Sequence, residues 1–456
     1  MTALDDDRAA DLGAFATGLR LDDVPAEVTD FARLLLLDTL GALLGGLRYP
    51  AVRRLARALP SGGSLPSGRL LTLGAAATWL DADSGGSAHP QGGRLPPVPT
   101  AHPAPHVLPV LLDAAARGPV GDRRLLEVFL AATEVGMRAG AASSLRPGLH
   151  PHGVHGPGSA ALAAVLLASG TAAEATSAFL LGSSQPVAAT LAVPMGGGTV
   201  RNAWTGLGVC AGVLAARRAR QGVGVRSATF SALFDGVVCT DLSPALLADD
   251  LGRRWEVVHS YLKPYACARW LHPALDAVRR ALAGTGADAG DVAAVEVATF
   301  AFAASLSDAA VRSDMHARFS LPWCVATLLV DGEVDAASFL PEGLARPAVG
   351  ELARRVAVTE EPAYSAALPG ERPTRVTVRL RDGAVRTAAV RNARGNPADP
   401  LPGHEVAAKF ARNVGDLVPA PLVETTVTAL SGGTAAGDDD VLARLTRVVL
   451  ADLESG

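Results

Sequence analysis

Apolar residues recur at helical spacing through the first half of the chain. They fill residues 24–45, a stretch that ends at a pair of glycines. The same spacing predicts further helices at residues 106–117, 122–139, 158–168, 172–181 and 203–221. Several of these are apolar on most faces and rich in Ala and Gly, which lets helices approach closely. We therefore expect a helical bundle that buries much of its own surface.

The pattern changes after about Ala266. Apolar and polar residues alternate at 292–300, 355–359, 375–380 and 385–390, and the last two runs flank the hairpin signal Arg381-Asp382-Gly383. An apolar helix is predicted at 317–330, and helices return at 405–416 and 439–452. Residues 84–100 are dense in Gly, Pro and Ser and predict an irregular loop, and 432–440 predicts a linker. The sequence thus predicts a mainly α fold: an all-helical domain of residues 1–265 completed by 403–456, and a smaller α+β lid domain of residues 266–402.

Composition narrows the class of protein. Hydrophobic residues make up 49% of the 456 and charged residues 19%, which allows a large core and argues against disorder. A formal net charge of −4 gives no reason to expect a nucleic-acid or membrane-surface partner. No secretory signal and no apolar stretch of about 20 residues is evident, so we expect a cytoplasmic protein. The four cysteines form no CxxC pair, which argues against a zinc ribbon and an iron–sulfur motif.

Carboxylates and a histidine lie close together in one segment. Asp81 and Asp83 are two residues apart, and His102 follows about twenty residues later. A carboxylate that orients an imidazole is a common arrangement for proton transfer. The alternative is a loop with a turn-forming Asp and a capping His.

A second segment holds three histidines within six residues: His150, His152 and His155. Imidazole is the commonest metal ligand, but the Pro and Gly residues here predict an irregular loop rather than the helix face of a zincin. We therefore expect no metal. An acid/base or carboxylate-binding loop before the helix at Gly158 fits better, and the pattern leaves open which of the three histidines faces a pocket.

Two cationic segments are candidates for binding an anion. Three glycines precede Arg201, and a plain turn with a surface arginine is the alternative there. Lys263, one of only two lysines, is followed by Arg269 and His272 at the point where the helical pattern gives way to the alternating one. Clefts between domains often bind ligands, and these cations suit a polycarboxylate; an ordinary solvated linker is the alternative.

Taken in order, these segments resemble the MmgE/PrpD family, which includes methylcitrate dehydratases, cis-aconitate decarboxylases and an iminodisuccinate epimerase. The matching elements are Asp81-Ala82-Asp83-Ser84, His102-Pro103-Ala104, Gly148 to Pro151, Arg201 to Gly206, Lys263 to Pro273 and Phe319 to Pro322. The resemblance implies an all-helical domain, an α+β lid, a homodimer and no cofactor. It also implies a small-molecule carboxylate substrate that reacts at a carbon next to a carboxylate.

The resemblance implies roles for eight residues and leaves the reaction open. The expected acid/base residues are Asp83, His102 and His150. The expected substrate contacts are Lys263, Arg201, Arg269, His272 and His152. The first expectation is a lyase that dehydrates a hydroxy-polycarboxylate resembling 2-methylcitrate. An isomerase, epimerase or cyclase of specialised metabolism and an inactive scaffold are the alternatives, because Ser84, Arg201 and Ala268 depart from the family pattern.

Overall fold

The computed structural model describes residues 4–58, 68–88, 98–99, 101–187, 189–431 and 440–455. The fold is mainly α with a smaller α+β part, as the sequence predicts. The α-helices are Asp6–Gly18, Ala26–Leu47, Pro50–Ala58, Gly68–Ala77, Ala104–Arg117, Asp122–Ala141, Gly156–Leu167, Ala172–Ser183, Ala192–Met195, Val200–Ala219, Ser227–Leu233, Pro244–Ala248, His272–Leu282, Ala301–Ala304, Asp314–Arg318, Leu321–Asp331, Pro341–Leu344, Pro347–Ala353, Pro362–Ser365, Gly403–Val414, Ala420–Leu430 and Val441–Ser455.

The described strands form three small sheets. In chain order they are β1 (Gly85–Ala88), β2 (Val98–Pro99), β3 (Ser143–Leu145), β4 (Cys239–Leu242), β5 (Ser260–Tyr261), β6 (Val292–Thr299), β7 (Val356–Glu360), β8 (Thr374–Leu380) and β9 (Val385–Val390). The largest sheet has the order β7-β6-β8-β9, with β6 and β7 parallel and the other pairs antiparallel. Its β8–β9 hairpin confirms the turn predicted at residues 381–383.

One predicted helix is wrong. Instead of a single helix at 317–330, the chain forms Asp314–Arg318 and Leu321–Asp331. The Ser320 side chain accepts a hydrogen bond from the N–H of Trp323 and so begins a new helix, with Pro322 in its first turn. The apolar spacing continues through this break, which is why periodicity alone missed it.

The loop predicted at 84–100 is not irregular throughout. Strands β1 and β2 occupy its two ends and pair with each other, while residues 89–97 and 100 lie outside the described residues. Strand β1 also pairs with β5, which brings Gly85 opposite Tyr261. The two segments that carry the carboxylates and Lys263 are thereby held side by side. Most of the linker predicted at 432–440 also lies outside the described residues.

Glycines bring two helices of the bundle into close contact. A Cβ on Gly74 would lie 2.6 Å from the Cα of Gly206, and a Cβ on Gly206 would collide with the carbonyl oxygen of Leu71. The Gly68–Ala77 and Val200–Ala219 helices therefore touch backbone to backbone. This contact places Arg201, at the start of the second helix, against the end of the first.

A buried ion pair fixes the chain that leads to Lys263. Glu134 and Arg138 lie one turn apart in the Asp122–Ala141 helix and bind each other at 2.7 Å. The Glu134 carboxylate accepts the backbone N–H groups of Glu256 and Val257 at 3.0 and 2.8 Å. The path from there into β5 is thus tied to the bundle, and the position of Lys263 follows from it.

The α+β part is attached close to the same residues. The backbone N–H of Leu262 donates to the carbonyl oxygen of Gly395 at 2.8 Å. Gly395 has a φ of +84°, and a Cβ there would collide with the carbonyl oxygen of Leu262, so this approach requires glycine. Arg372 lies just before β8 of the largest sheet, on the side of the α+β part that faces the bundle.

Among the described residues, no helix combines the length and the apolar character that crossing a membrane requires.

We expect Gly206→Ala to lower the free energy of unfolding by about 1–3 kcal/mol, because the added methyl group forces two packed helices apart. Gly18→Ala is the matched control, since a Cβ there meets nothing within 4 Å. Urea denaturation followed by circular dichroism measures both. Equal midpoints for Gly206→Ala and the parent protein would contradict the backbone contact.

Candidate active site

A cavity of about 430 Å³ lies where the bundle meets the α+β part. Its charged and titratable lining comes from both parts of the chain, and so does its apolar lining. The charged and titratable lining residues are Asp81, His102, Arg146, His150, His155, Arg201, Tyr261, Lys263, Arg269 and Arg372. The apolar lining residues include Leu145, Pro147, Leu149, Pro151, Leu191, Trp270 and Phe319. Of the predicted site residues, Asp83, His152 and His272 do not line the cavity.

Asp81 is the point at which two predicted cations meet. Its Oδ1 accepts hydrogen bonds from Arg201 Nη2 at 2.7 Å and from Lys263 Nζ at 2.8 Å. Lys263 also donates to the Asp81 carbonyl oxygen at 2.7 Å, and Arg201 to that of Thr78 at 2.6 Å. Asp81 has a φ of +50°, a strained conformation for a residue with a Cβ. These four bonds hold the turn in that conformation.

Lys409, the second lysine, supports the same turn from the other side. Its Nζ donates to Asp38 Oδ1 at 2.7 Å and to the carbonyl oxygen of Ala82 at 3.1 Å. Both lysines thus bind one carboxylate and one carbonyl oxygen of the turn, but Lys409 does not line the cavity. The two lysines form a natural pair for separating structural support from substrate contact.

Asp83 does not line the cavity and lies beside two imidazoles. Its Oδ2 is 3.1 Å from His102 Nδ1 and 3.2 Å from His152 Nε2, and its Oδ1 is 3.5 Å from Arg201 Nη2. Burial would raise the pKa of Asp83, but the charge of Lys263, together with the two imidazoles, holds it well below its usual value. Asp83 is therefore an ionised group that positions histidines, and it has no contact with the cavity.

The tautomer of His102 follows from its neighbours. Its Nδ1 lies 2.7 Å from the carbonyl oxygen of Ser84, which can only accept, so Nδ1 must carry the proton. The neutral ring then leaves Nε2 unprotonated, and Nε2 has no hydrogen-bond partner among the residues that the structure describes. Since His102 lines the cavity, its Nε2 is a base available to a ligand.

His150 has the opposite tautomer. Its Nδ1 accepts the backbone N–H of His152 at 3.3 Å, so in the neutral ring the proton sits on Nε2. Burial, reinforced by the positive charge of Arg201, lowers the pKa of His150 well below its usual value. The ring stacks on His152, with centroids 4.9 Å apart, and His152 lies between His150 and Asp83. His150 and Asp83 thus belong to one cluster, in which His152 contacts both.

His155 also lines the cavity. Its Nε2 lies 2.8 Å from Ser143 Oγ, and that hydroxyl donates to the carbonyl oxygen of Ala139 at 2.7 Å. His155 is therefore the donor in the pair, and the serine proton is not available for transfer to it. Burial lowers the pKa of His155 to about 3, so the ring is neutral at pH 7. Of the three histidines in the loop, His150 and His155 reach the cavity and His152 does not.

His272 acts on the cavity through Arg269. Its Nε2 donates to the carbonyl oxygen of Cys267 at 3.1 Å, which leaves Nδ1 to accept from Arg269 Nη1 at 3.3 Å. Arg269 donates further to the carbonyl oxygen of Arg394 at 3.1 Å and to Asn396 Oδ1 at 2.5 Å. All of these acceptors are uncharged, so the positive charge of Arg269 is oriented but not neutralised.

Sequence reasoning missed Tyr261 and Arg372, as it missed Arg146 at the same cavity. The guanidinium carbon of Arg269 lies 4.6 Å from the ring centroid of Tyr261, and that ring meets His102 edge-on at 6.2 Å. The Arg372 side chain, from the α+β part, makes no ion pair or hydrogen bond with the described residues. No motif marks either position: Tyr261 precedes the lysine motif by two residues, and Arg372 is one arginine among many in its segment.

One cluster has the composition of a metal site. Donor atoms of Asp83, His102 and His152 lie within 4.8 Å of one another. However, the bond to Ser84 places a proton on His102 Nδ1, the very atom that would bind the ion. Arg201 Nη2 lies 3.2 Å from His152 Nε2, so a positive charge also stands beside a second ligand. These contacts favour a hydrogen-bonded network over a bound metal ion at this cluster.

Comparison with known families gives two matches. Residues 10–237 match the MmgE/PrpD N-terminal domain, and residues 265–429 match the MmgE/PrpD C-terminal domain. No curated protein matches the chain.

We expect the purified protein to contain no stoichiometric metal, because the ligand atoms of the Asp83 cluster carry protons or face Arg201. Metal analysis by mass spectrometry tests this, and thermal unfolding with and without added Zn²⁺ gives a second readout, since a ligand of the native state raises the unfolding temperature. Stoichiometric zinc or iron, or a zinc-dependent rise that Asp83→Asn abolishes, would show that the cluster binds metal.

Proposed function

The chain belongs to the MmgE/PrpD family, and on that premise we propose that it is a cofactor-independent lyase that dehydrates a hydroxycarboxylate. Family membership by itself indicates an enzyme of the dehydratase, lyase or isomerase type. The observation that carries the proposal is a pair of imidazoles at one cavity whose neighbours favour opposite tautomers: His102 offers a base and His150 offers an N–H group.

His102 is the proposed general base. The ionised Asp83 carboxylate beside its Nδ1 stabilises the imidazolium that forms when Nε2 takes a proton. Asp83 cannot itself reach a substrate, since it does not line the cavity. It is therefore a positioning residue, and the role in proton transfer expected for it passes to His102.

His150 is the proposed electrophile. A neutral imidazole N–H polarises an oxygen atom without first having to be protonated, which suits a residue whose pKa is depressed. The elimination then balances simply. His102 removes the proton from the carbon next to a carboxylate, the C–H electrons form the double bond, and the C–O bond breaks as His150 polarises its oxygen. The departing hydroxide takes up the proton that His102 removed, which releases water and returns His102 to its starting form.

Lys263 is the cation placed to stabilise the charge that develops. It lines the cavity with its Nζ held by Asp81, and Asp81 and Asp83 raise its pKa above the usual value against the opposing effect of burial. It is therefore an ammonium group at pH 7. Arg201 stays protonated and cannot replace a lysine as a proton donor. Its bonds to Asp81 and Thr78 assign it to holding the turn instead.

An isomerase or epimerase is the second candidate, and the apolar walls of the cavity favour it. The same proton removal by His102, followed by return of a proton to the carbon, changes configuration without loss of water. An inactive scaffold is less compatible with a cavity of this size lined by a base, an N–H donor and an ammonium group. Assaying both deuterium uptake and loss of water distinguishes the three.

We expect Lys263→Met to slow deuterium uptake from D2O, at the carbon next to the carboxylate, by roughly 30- to 1000-fold. This corresponds to losing about 2–4 kcal/mol of transition-state stabilisation. NMR against a panel of hydroxy- and dicarboxylates measures the exchange, and mass spectrometry of the same samples detects loss of water.

Lys409→Met is the control for that experiment. It removes an equivalent buried lysine from the same turn but leaves the cavity lining intact, so it should destabilise the protein while keeping most of the exchange rate. If both variants lose activity equally, Lys263 acts only by supporting the turn. If the parent protein neither exchanges nor dehydrates any member of the panel, the enzyme proposal fails.

We also propose a homodimer formed through the bundle. Val200 and Leu207 lie two turns apart on one helix and are 51% and 44% exposed. Ala203 and Leu214, which are partly exposed, continue the same face of this helix. A second copy of the chain would cover this apolar face.

Light scattering should therefore give twice the chain mass of 46.4 kDa for the parent protein. Leu207→Glu should shift the mass toward one chain, because it places a charge in the apolar face. Val385→Glu, which changes an exposed valine of β9 in the α+β part, is the control and should leave the dimer intact. A monomeric parent protein at micromolar concentration would contradict the proposal.

A further inference from the structure

The end of the cavity that Asp81, Lys263 and Arg201 line carries no net charge. Lys263 and Arg201 contribute two positive charges, and Asp81 and Asp83, bound directly to them, contribute two negative ones. The histidines beside them have tautomers that fit neutral rings. An anionic substrate is therefore not attracted to this end by a net field, although both cations were expected to bind its carboxylates.

The uncompensated positive charge lies at Arg269 and Arg372. Arg269 is bound by uncharged acceptors, and the Arg372 side chain makes no ion pair or hydrogen bond with the residues that the structure describes. Burial, together with repulsion from Arg372, lowers the pKa of Arg269 to about 10, so Arg269 remains charged at pH 7. Burial also lowers the pKa of Arg372, but an arginine keeps its proton in proteins. A third lining arginine, Arg146, is exposed and donates to the carbonyl oxygens of Gly236 and Val237, where water screens its charge.

Apolar side chains from both parts of the chain also line the cavity. Leu145, Leu149 and Leu191 come from the bundle, and Trp270 and Phe319 come from the other part of the chain. Asp81 is the sole acidic residue among the lining residues described. A carboxylate that lies against these walls without a cation is costly in a confined apolar space.

We infer that Arg372 and Arg269 bind the carboxylate of an amphipathic acid, whose apolar body lies against Leu145, Leu149, Leu191, Trp270 and Phe319. This inference rests on the proposed function and assigns its substrate class. Guanidinium groups bind carboxylates through paired hydrogen bonds, so a carboxylate beside Arg269 has a defined orientation. Tyr261 separates Arg269 from His102 by one aromatic ring, which places the carbon next to that carboxylate on the side of the proposed base.

Calorimetric titration with butanoate, hexanoate, octanoate, octan-1-ol and citrate tests the inference on the parent protein. Affinity should rise about fourfold for each added methylene, because each is buried against the apolar walls. Octan-1-ol, which lacks the carboxylate, should bind about tenfold more weakly than octanoate, or weaker still. Citrate binding more tightly than octanoate, or no dependence on chain length, would overturn the inference.

Arg372→Met should weaken octanoate binding about tenfold or more, and Arg372→Lys should recover part of the loss because it keeps the charge. Arg375→Met is the matched control: it removes an exposed arginine three residues along the same segment and should bind octanoate as the parent protein does. Unchanged affinity in Arg372→Met would remove this residue from the site.

A failure of the inferred binding site can be distinguished from a failure of the proposed function. Octanoate binding without any proton exchange on carboxylates would retain the inferred binding site and refute the enzyme. Exchange confined to polycarboxylates such as citrate would retain the enzyme and refute the inferred substrate class.

Discussion

Burial of two carboxylates in the turn from Thr78 to Ser84 is the constraint on which the site depends. An isolated buried carboxylate is too costly to persist, so each must be paired and hydrogen-bonded. Lys263 and Arg201 supply the charges, and Lys409 binds the turn at Ala82. The helix contact at Gly206, the ion pair of Glu134 and the pairing of β1 with β5 bring those cations into reach. The pairing of the buried carboxylates therefore depends on the packing of the bundle.

The same pairing shapes the chemistry. Because the cations at the turn are paired with carboxylates, they support the histidines but exert no net attraction on an anion. Asp83 and the Ser84 carbonyl fix the proton of His102 on Nδ1, and the His152 backbone fixes that of His150 on Nε2. A base and a donor result from neighbours that never contact a substrate. We propose that the field that attracts an anion comes instead from Arg269 and Arg372.

The sequence predicted the fold well because long apolar helices and alternating strands carry their own periodicity. It placed His102, His150, Arg201, Lys263 and Arg269 at one site because motifs mark them. It could not separate lining residues from supporting ones, since Asp83, His152 and His272 differ from their neighbours only in the direction of a side chain. Arg372 carries no motif, and its importance arises from the lack of a side-chain partner among the described residues, which is a property of the folded chain alone.

Long-range ¹H–¹⁵N NMR of the histidine rings at pH 7 distinguishes the tautomers of His102 and His150, with His102→Asn and His150→Asn identifying the two signals. We expect opposite tautomers: His102 protonated on Nδ1 and His150 protonated on Nε2. Two rings of the same tautomer, or a doubly protonated His150, would contradict this expectation, because the base and the donor would then not coexist in the cavity.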